Sequence, residues 1–355
     1  MPAKPHRNTG PRGTTIAQVA RSAGVSRATA ARVTGGSVDI DPQTRQAVER
    51  AVQDLDYVPT HLPHRRLSLP TNAIGVVINE SPTRLFGDPM FSTLLGAIYG
   101  ALAERSLLMV MLAPQSAREL ELAGIYLLGK HVDGAVLVGL HGSNPLPNRL
   151  REHGVPAVLC GIRARGVVAS CVDSNNRQGA ALAVEHLISL GRRTIATISG
   201  DLDMAGAVDR RMGYRDALVE AGITLDPTLE EVADYLPDRA HMAMERLLLN
   251  HPNVDAVFAA SDLMAAAAMR VLRQAGKRIP EDVAVVGFDD STIARTANPP
   301  LTSIRQPLDE IGHEAVSILM REMNEPREAP REVVFTTELV VRESTIGAAG
   351  AGRLD

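Results

Sequence analysis

From residue 73 onward, short apolar runs alternate with longer segments in which apolar residues recur every three or four positions. Such runs are typical of parallel strands covered on both faces, and the longer segments are typical of amphipathic helices. The predicted strands are Ile74–Ile78, Leu108–Leu112, Gly134–Val138, Ala157–Leu159, Thr194–Ile198, Ala256–Ala260 and Val283–Val286. The predicted helices are Phe91–Arg105, Gly179–Leu190, Met212–Ala221, Arg239–Leu249, Leu263–Gln274 and Leu308–Met323. The alternation predicts an α/β body with doubly wound parallel sheets, and so many strands favour two lobes.

The segment before this body has only helical patterns. Counted from Ile16, the fifth residue is Ala20 and the ninth is Gly24. A small residue lets two helices cross closely, and glycine permits the positive φ of a tight turn, so the spacing predicts a helix-turn-helix. Thr15 and Ser26 precede the two helices as hydroxyl caps. The predicted apolar seam consists of Ile16, Val19, Ala20, Val25, Ala30 and Val33.

A third helix follows this pair. Asp41 is its predicted N-cap and Pro42 fits its first turn. Its apolar positions are Val48, Ala51, Val52 and Leu55. The resulting organisation is a disordered basic arm (1–13), an all-helical head (14–58), a linker (59–72), the body (73–346) and a tail (347–355).

Composition and charge refine this organisation. The 355 residues are 45% hydrophobic, which is enough for a large core. Residues 1–70 hold ten Lys/Arg and five Asp/Glu, whereas the remainder holds 27 and 36. A basic head on an acidic body is typical of a protein that binds nucleic-acid phosphates. Cys160 and Cys171 lack metal-ligand spacing and are expected to be reduced. With no apolar leader or membrane-length run, we expect a cytoplasmic, nucleoid-associated protein.

The head closely resembles the N-terminus of the LacI/GalR family of bacterial transcription regulators. The resemblance is carried by Thr15-Ile16, Val19-Ala20, Ala23-Gly24-Val25-Ser26, Thr29 and Arg32-Val33. Three positions depart from the family pattern, since Ala30 replaces valine, Ala31 replaces serine and Gly35 replaces asparagine. Ala30 contributes less apolar volume to the small core of the head than valine would. Ala31 lacks a hydroxyl that could face phosphate or base.

The family resemblance extends to the body, where it implies a two-lobed, periplasmic-binding-protein-like fold. In that fold the chain crosses three times between the lobes. The crossings are expected near Cys171–Ser174, Pro300–Ile304 and Phe335–Thr337. One lobe would then hold residues 73–172 and 304–335, and the other residues 173–303 and 336–346.

The start of the second head helix is the predicted DNA-reading surface. Arg27 can reach guanine in the major groove, or alternatively a phosphate, and Ala28 can meet a thymine methyl. Thr15, Ser26 and Thr29 suit phosphate contacts. The resemblance implies that Arg32 touches bases or backbone.

In the family, the linker forms a hinge helix on DNA and inserts a leucine into the minor groove. Here Pro63 interrupts the pattern, Arg66 occupies the usual wedge position, and Leu67 follows it. Leu67 is therefore one hypothesis for the wedge. The alternative is a flexible basic tether in which Arg65 and Arg66 contact phosphates.

The effector site is expected in the cleft between the lobes, beyond the carboxyl ends of the strands. Polar residues and aromatic rings fall near such ends. The candidates are Asn79, Phe86, Arg210, Ser261, Phe288, Asp289 and Gln306. Arg210 belongs to an Arg-x-x-Gly-aromatic motif, and family residues matching Arg210 and Asp289 hydrogen-bond the effector. The alternative is that Asp289 caps a helix and Arg210 is a surface charge.

A softer resemblance points to the subgroup that senses cellobiose-type oligosaccharides. It is carried by Leu85–Phe91, Tyr126-Leu127, Val132-Asp133-Gly134 and Gly200–Tyr214. It implies a homodimeric repressor of carbohydrate-use genes that binds a two-fold-symmetric operator and responds to an oligosaccharide. A purine-type corepressor system and a solute-binding protein are the alternatives.

No feature of the sequence favours an enzyme. The motifs GxxxxGK(S/T), GxSxG and HExxH are absent, and the ten histidines have no metal-ligand spacing. We therefore expect no catalytic residue, metal or cofactor.

Overall fold

The computed structural model describes residues 14–34, 40–55, 57, 70–142, 144–161, 166–325 and 329–351. The chain divides into two compact units, one of residues 1–71 with 124–131 and one of residues 72–123 with 132–355. The predicted arm (1–13) and most of the predicted linker, including Pro63, Arg65, Arg66 and Leu67, lie outside the described residues.

The N-terminal unit contains three helices, α1 (Ile16–Ser22), α2 (Arg27–Thr34) and α3 (Pro42–Asp54). All six predicted seam residues lie in their shared core. Gly24 has a φ of 66°, which confirms the prediction that the turn requires a residue without a side chain. The Asp41 carboxylate accepts a hydrogen bond from the Thr44 N–H at 2.9 Å and so caps α3 as predicted.

The larger unit contains twelve described strands. They are β1 (Ala73–Ile78), β2 (Leu108–Leu112), β3 (Gly134–Val138), β4 (Ala157–Cys160), β5 (Ser170–Ser174), β6 (Ile195–Ser199), β7 (Glu230–Val232), β8 (Ala256–Ala259), β9 (Ala284–Asp289), β10 (Thr302–Arg305), β11 (Glu332–Phe335) and β12 (Glu338–Val340). Each of the seven predicted strands is present, with bounds within one residue of the predicted ones, except that β9 extends three residues beyond the predicted end at Val286.

The described helices of the body alternate with these strands. They are α4 (Pro82–Gly87), α5 (Pro89–Ala103), α6 (Ala117–Leu128), α7 (Leu146–Glu152), α8 (Asn176–Ser189), α9 (Ala205–Glu220), α10 (Pro237–Asn250), α11 (Asp262–Gln274), α12 (Thr292–Thr296), α13 (Leu308–Asn324) and α14 (Glu343–Ala351). The six predicted helices are present, but α9 begins seven residues earlier than predicted.

The strands form two six-stranded sheets, which define two lobes. The first lobe has the order β11-β5-β4-β3-β1-β2, and the second has the order β12-β10-β9-β8-β6-β7. Every pairing is parallel except that of β10 with β12. The predicted fold class of doubly wound parallel sheets is therefore confirmed. In each sheet the strand order reverses once, between β3 and β1 and between β8 and β6. Open α/β sheets bind ligands at such a reversal.

The strand order corrects one predicted crossing. β10 pairs with β9 in the second sheet, whereas α13 packs in the core of the first lobe. The chain therefore crosses at Gln306-Pro307 and not within Pro300–Ile304, so the predicted lobe boundary at residue 304 is too early. The reason is that Thr302 and Ser303 are buried strand residues despite their polarity. The other two crossings follow β5 and β11.

Two further predictions concern cysteines and membrane segments. Cys160 and Cys171 are buried free thiols. Of the helices in the described part of the chain, none combines the length and apolar character that a membrane span requires.

Candidate functional site

The first turn of α2 presents a polar surface. Ser26 precedes the helix, and its hydroxyl accepts a hydrogen bond from the Thr29 N–H at 3.0 Å. The Ser26 and Thr29 hydroxyls also bond to each other at 2.8 Å. Arg27, Ala28 and Arg32 are exposed on the same helix, while Ala30 and Val33 anchor its opposite face.

Thr15 has a different environment at the start of α1. Its backbone N–H and its hydroxyl both donate to Oε1 of Gln18, at 2.7 and 2.9 Å. The side-chain amide oxygen of Gln18 thus satisfies the backbone N–H of Thr15, the N-cap residue that precedes α1. Thr15 remains exposed, so its methyl edge and hydroxyl lie at the surface of the head.

A cavity of about 130 Å³ lies between the two lobes. Residues of β3, β4, β5, α4, α5, α13 and the segment after β1 line it on one side, and residues of α8, α9 and the segment after β7 line it on the other. The polar and aromatic lining residues are Glu80, Arg84, Phe91, Asp173, Asn176, Arg210, Tyr235 and Gln306. The cavity therefore sits at the carboxyl ends of both sheets, where the two reversals of strand order face each other.

Arg210 is the most firmly held cation in this cavity. It extends from α9, and its Nε donates to Oδ1 of Asn176 at 2.7 Å. Its Nη1 donates to the carbonyl of Ala260 at 2.6 Å and lies 3.7 Å from Oδ1 of Asp289. The guanidinium also stacks on Phe288, with Cζ 3.7 Å from the ring centroid. Arg210 is thus held in place by contacts with three different elements of the second lobe.

Gln306 joins two of the chain crossings. Its Nε2 donates to Oδ1 of Asp289 at 2.7 Å, and its Oε1 accepts from the Ser174 hydroxyl at 2.5 Å. Gln306 lies at the second crossing and Ser174 ends β5 at the first. Any rotation of the lobes about these crossings must therefore act on this hydrogen-bonded chain.

Arg84 reaches into the cavity from α4 in the first lobe. It forms a buried ion pair with Glu80, and its guanidinium covers the Tyr235 ring at 4.0 Å from the centroid. Its Nη1 lies 3.4 Å from the sulfur of Met204. Because Tyr235 and Met204 belong to the second lobe, Arg84 spans the cleft.

Burial dominates the electrostatics of the cleft. It raises the pKa of Glu80, Asp88 and Asp289 above their ordinary values, although neighbouring arginines oppose the rise. Burial also raises the pKa of Asp173 to about 6. These four carboxyls share the cleft with only two buried arginines among the described residues, Arg84 and Arg210. The site is therefore rich in hydrogen-bonding groups that can be neutral.

Backbone strain marks the same place. Asp234 and Tyr235 have φ values of 48° and 60°, and Asp289 and Asp290 have values of 111° and 50°. Residues with side chains adopt this left-handed region at an energetic cost, and such residues concentrate at functional sites. Both pairs lie at or just beyond the carboxyl end of a strand, and both supply side chains to the cleft cluster.

The structure brings together three of the predicted effector residues, Arg210, Asp289 and Gln306, but not the rest. Phe288 is wholly buried beneath Arg210 and supports it. Ser261 is the N-cap of α11, because its hydroxyl accepts from the Met264 N–H. Neither residue lines the cavity.

Two predictions near β1 are corrected by the structure. Phe86 is 75% exposed on α4, and the first-lobe ring that lines the cavity is that of Phe91 on α5. Asn79 directs its backbone N–H to Val138, and the next residue, Glu80, enters the cavity. Side chains alternate along an extended strand, so an error of one position places the wrong residue in the site.

Several cavity residues were missed in the sequence, among them Glu80, Arg84 and Asp173. Asp88, whose carboxyl interacts with Arg84 and Arg210, was missed as well. Asp88 precedes Pro89, and its carboxylate accepts from the Met90 N–H at 3.1 Å, which is the N-cap pattern for α5. That Asp-Pro signal could have placed a carboxylate at the mouth of the cleft. Arg84 has no comparable signal, because its partner Tyr235 is 151 positions away in the chain.

Replacing Asp173 by asparagine is expected to reduce the dependence of stability on pH. In the folded protein the Asp173 carboxyl, with a pKa of about 6, keeps a proton that the unfolded chain releases near its ordinary value of 3.8. The free energy of unfolding therefore falls as pH rises from about 4 to about 6, by up to about 3 kcal/mol, and the contribution is constant above that range. Urea unfolding of both proteins at pH 4.5 and 7 measures the difference. Equal pH slopes in the two proteins would contradict the assignment.

Comparisons with known proteins agree with the two-part architecture. Residues 15–60 match the model of the bacterial regulatory proteins of the lacI family, and residues 184–345 match that of the periplasmic binding protein-like domain. The chain is 44% identical to the HTH-type transcriptional regulator CelR of Thermobifida fusca, over 93% of this chain and 98% of that protein. It is 31% identical to the ribose operon repressor of Escherichia coli (strain K12), over 93% and 99% of the two chains.

The same relationship holds for a solved structure, that of a transcriptional regulator CelR–cellobiose complex. It has a TM-score of 0.76 and 44% identity, over 93% of this chain and 99% of that one. Family models match both the head and the body, and relatives above 30% identity span nearly the whole chain. The protein is therefore a helix-turn-helix transcriptional regulator that belongs to the LacI family.

Proposed function

We propose that the protein is a repressor of carbohydrate-use genes whose affinity for its operator is controlled by a cellobiose-type oligosaccharide bound between the lobes. The observation that carries this proposal is the cleft cluster, in which Arg210, Asp289 and Gln306 converge beside the ring of Tyr235. Carboxylates and amides accept from paired sugar hydroxyls, and a guanidinium supplies a fork of donors. The relative solved with cellobiose, at 44% identity, supports the choice of ligand.

The size of the cavity indicates that binding requires movement. Its volume of about 130 Å³ is well below the roughly 300 Å³ at which small-molecule pockets usually begin. A disaccharide therefore enters only if the lobes separate or a lining side chain leaves. Separation of the lobes alters the crossings at Ser174 and Gln306, and thus links the cleft to the relative position of the lobes. Coupling energies of about 1–3 kcal/mol are typical of such linked binding equilibria.

The DNA partner is assigned from the surface of α2. We place this helix in the major groove, with Arg27 on guanine and Ala28 near a thymine methyl. Thr15, Ser26 and Thr29 face phosphates, and Arg32 contacts base or backbone. One head buries too little area for tight specific binding, so the proposal includes a homodimer on a two-fold-symmetric operator. The protein then acts at the nucleoid in the cytoplasm by binding alone.

A mobility-shift assay on fragments of the source genome tests the proposal. The full chain is compared with a deletion of residues 1–70, with cellobiose, other disaccharides and purines added in turn. We expect only the full chain to shift DNA, and an oligosaccharide to weaken the shift. Equal shifts by both proteins would contradict the DNA assignment. A shift strengthened by a purine would favour a corepressor system instead.

Replacing Arg27 by alanine is expected to weaken operator binding by roughly 5- to 150-fold, since a bidentate contact with guanine contributes about 1–3 kcal/mol of discrimination. The loss should be accompanied by relaxed preference at one base pair in each half-site. Fluorescence anisotropy with operators substituted at single positions measures both effects. Arg27→Lys is the matched control, because lysine retains the positive charge but lacks the two parallel N–H donors of the guanidinium. Uniform weakening on all sequences would assign Arg27 to phosphate.

A further inference from the structure

The aromatic faces of the cleft are already covered by the protein's own cations. The Arg84 guanidinium lies over Tyr235, with Cζ 4.0 Å from the ring centroid, and Arg210 lies over Phe288 at 3.7 Å. Arg84 is also 5.3 Å from the centroid of Phe91. A sugar ring that stacked on Tyr235 would need the space in which Arg84 now lies.

The two arginines differ in how firmly they are held. Arg210 donates to Asn176 and to the Ala260 carbonyl and lies beside Asp289, all within its own lobe. Arg84 contacts the opposite lobe only through an aromatic ring and the Met204 thioether in the described part of the structure. Its Nε has no hydrogen-bond acceptor among the described residues. Arg84 therefore loses little directional bonding when it leaves Tyr235.

Its charge partner also permits this movement. Glu80 lies at the end of β1 in the same lobe as Arg84, four positions before it. The ion pair can therefore persist while the guanidinium swings away from the second lobe. Tyr235, in contrast, is held against the backbone of Gly200, where an added Cβ would lie 2.1 Å from the ring. The ring is the fixed part of the contact and Arg84 is the movable part.

We propose that Arg84 is an internal occupant of the sugar-stacking position on Tyr235. It fills that position on the ring and must be displaced when the sugar binds. The apparent affinity is then the intrinsic affinity reduced by the fraction of molecules in which Tyr235 is uncovered. Arg84 thereby sets the concentration of sugar at which the regulator responds. This inference rests on the proposed function, since it assumes a sugar in this cleft.

The test compares Arg84→Met with the unaltered full chain by calorimetric titration with cellobiose. Methionine keeps an apolar stem but cannot lie over the ring as a cation. We expect the dissociation constant to fall about tenfold, which is within the range of one partly buried cation–π contact. Arg211→Met is the matched control, because Arg211 pairs with Glu230 outside the cavity, and its dissociation constant should not change.

A kinetic measurement separates displacement from other roles. The chain has five tyrosines and no tryptophan, so stopped-flow tyrosine fluorescence can follow the site. We expect the higher affinity of Arg84→Met for cellobiose to result from a faster association rate. A gain confined to the dissociation rate, an unchanged dissociation constant, or weaker binding that marks Arg84 as a direct sugar contact would each overturn the proposal.

The design also separates this inference from the proposed function. Binding by the unaltered chain without a gain in Arg84→Met would overturn only the role of Arg84. If neither protein, nor Arg84→Gln as a second variant, bound cellobiose or any other disaccharide, both proposals would be wrong. Thermal unfolding of each variant confirms that the fold is intact before titration.

Discussion

Replacing Arg210 by methionine is expected to abolish the response to sugar while operator binding persists. Arg210 is the only described residue that contacts Asn176, Ala260 and Asp289 together. A ligand held by this guanidinium loses two charge-assisted hydrogen bonds, each contributing about 1.5–3 kcal/mol, so its affinity should fall by more than about 100-fold. Operator binding should persist because the three head helices have their own core.

The substitution also removes a partner from a buried carboxyl. Without the Arg210 charge, the pKa of Asp289 rises further, and the group stays protonated to higher pH. Breaking a buried pair in this way can cost about 3–5 kcal/mol of stability, so the melting temperature must be measured together with the titration. The experiment pairs calorimetry with a mobility shift. Equal loss of operator binding and of sugar response would assign Arg210 a structural role.

Two fully buried apolar strands were predicted closely from the sequence. β1 and β3 are buried along their whole length, and their apolar runs predicted them to within one residue. β5 and β10 were instead assigned to the crossings, because polar residues such as Asp173 and Thr302 interrupt their apolar pattern. The Asp173 carboxylate accepts from its neighbours, the Ser174 N–H and the Asn176 side-chain amide. The Thr302 side chain is satisfied instead by a partner distant in the chain, because its hydroxyl donates to the Arg342 carbonyl at 2.9 Å. Only tertiary structure can supply such a partner.

The start of α9 and part of the cleft were also hidden from a prediction based on apolar periodicity. The helix begins at Ala205, but its first two turns carry no apolar period, so periodicity predicted a start at Met212. Those turns face the cavity, and the polar Arg210 is buried there. Residues that follow strand ends could be predicted as site candidates, which is how Asp289 and Gln306 were found. The contact of Arg84 with Tyr235 could not be predicted from the sequence, because it depends on how the sheets of the two lobes face each other.

Gly213 explains the remaining part of the Arg-x-x-Gly-aromatic motif. Arg210 enters the cleft, and Tyr214 is buried with its hydroxyl donating to the Ile195 carbonyl at 2.8 Å. Gly213 lies between α9 and α8, where an added Cβ would be 2.0 Å from the Arg177 carbonyl oxygen and 3.0 Å from Cβ of Ala180. The motif therefore combines a cleft-facing charge, a close helix crossing and a core anchor within five residues.

Gly213→Ala is accordingly expected to destabilise the protein by about 3 kcal/mol or more, since α8 and α9 must move apart to admit the methyl group. For a body of this size the melting temperature should fall by at least about 6 °C. Gly206→Ala is the matched control on the same helix, because its added Cβ meets nothing closer than 3.5 Å. There, alanine should stabilise the helix by up to about 1 kcal/mol. Differential scanning calorimetry of the two variants should thus show shifts of opposite sign, and equal shifts would mean that the α8–α9 crossing tolerates a side chain.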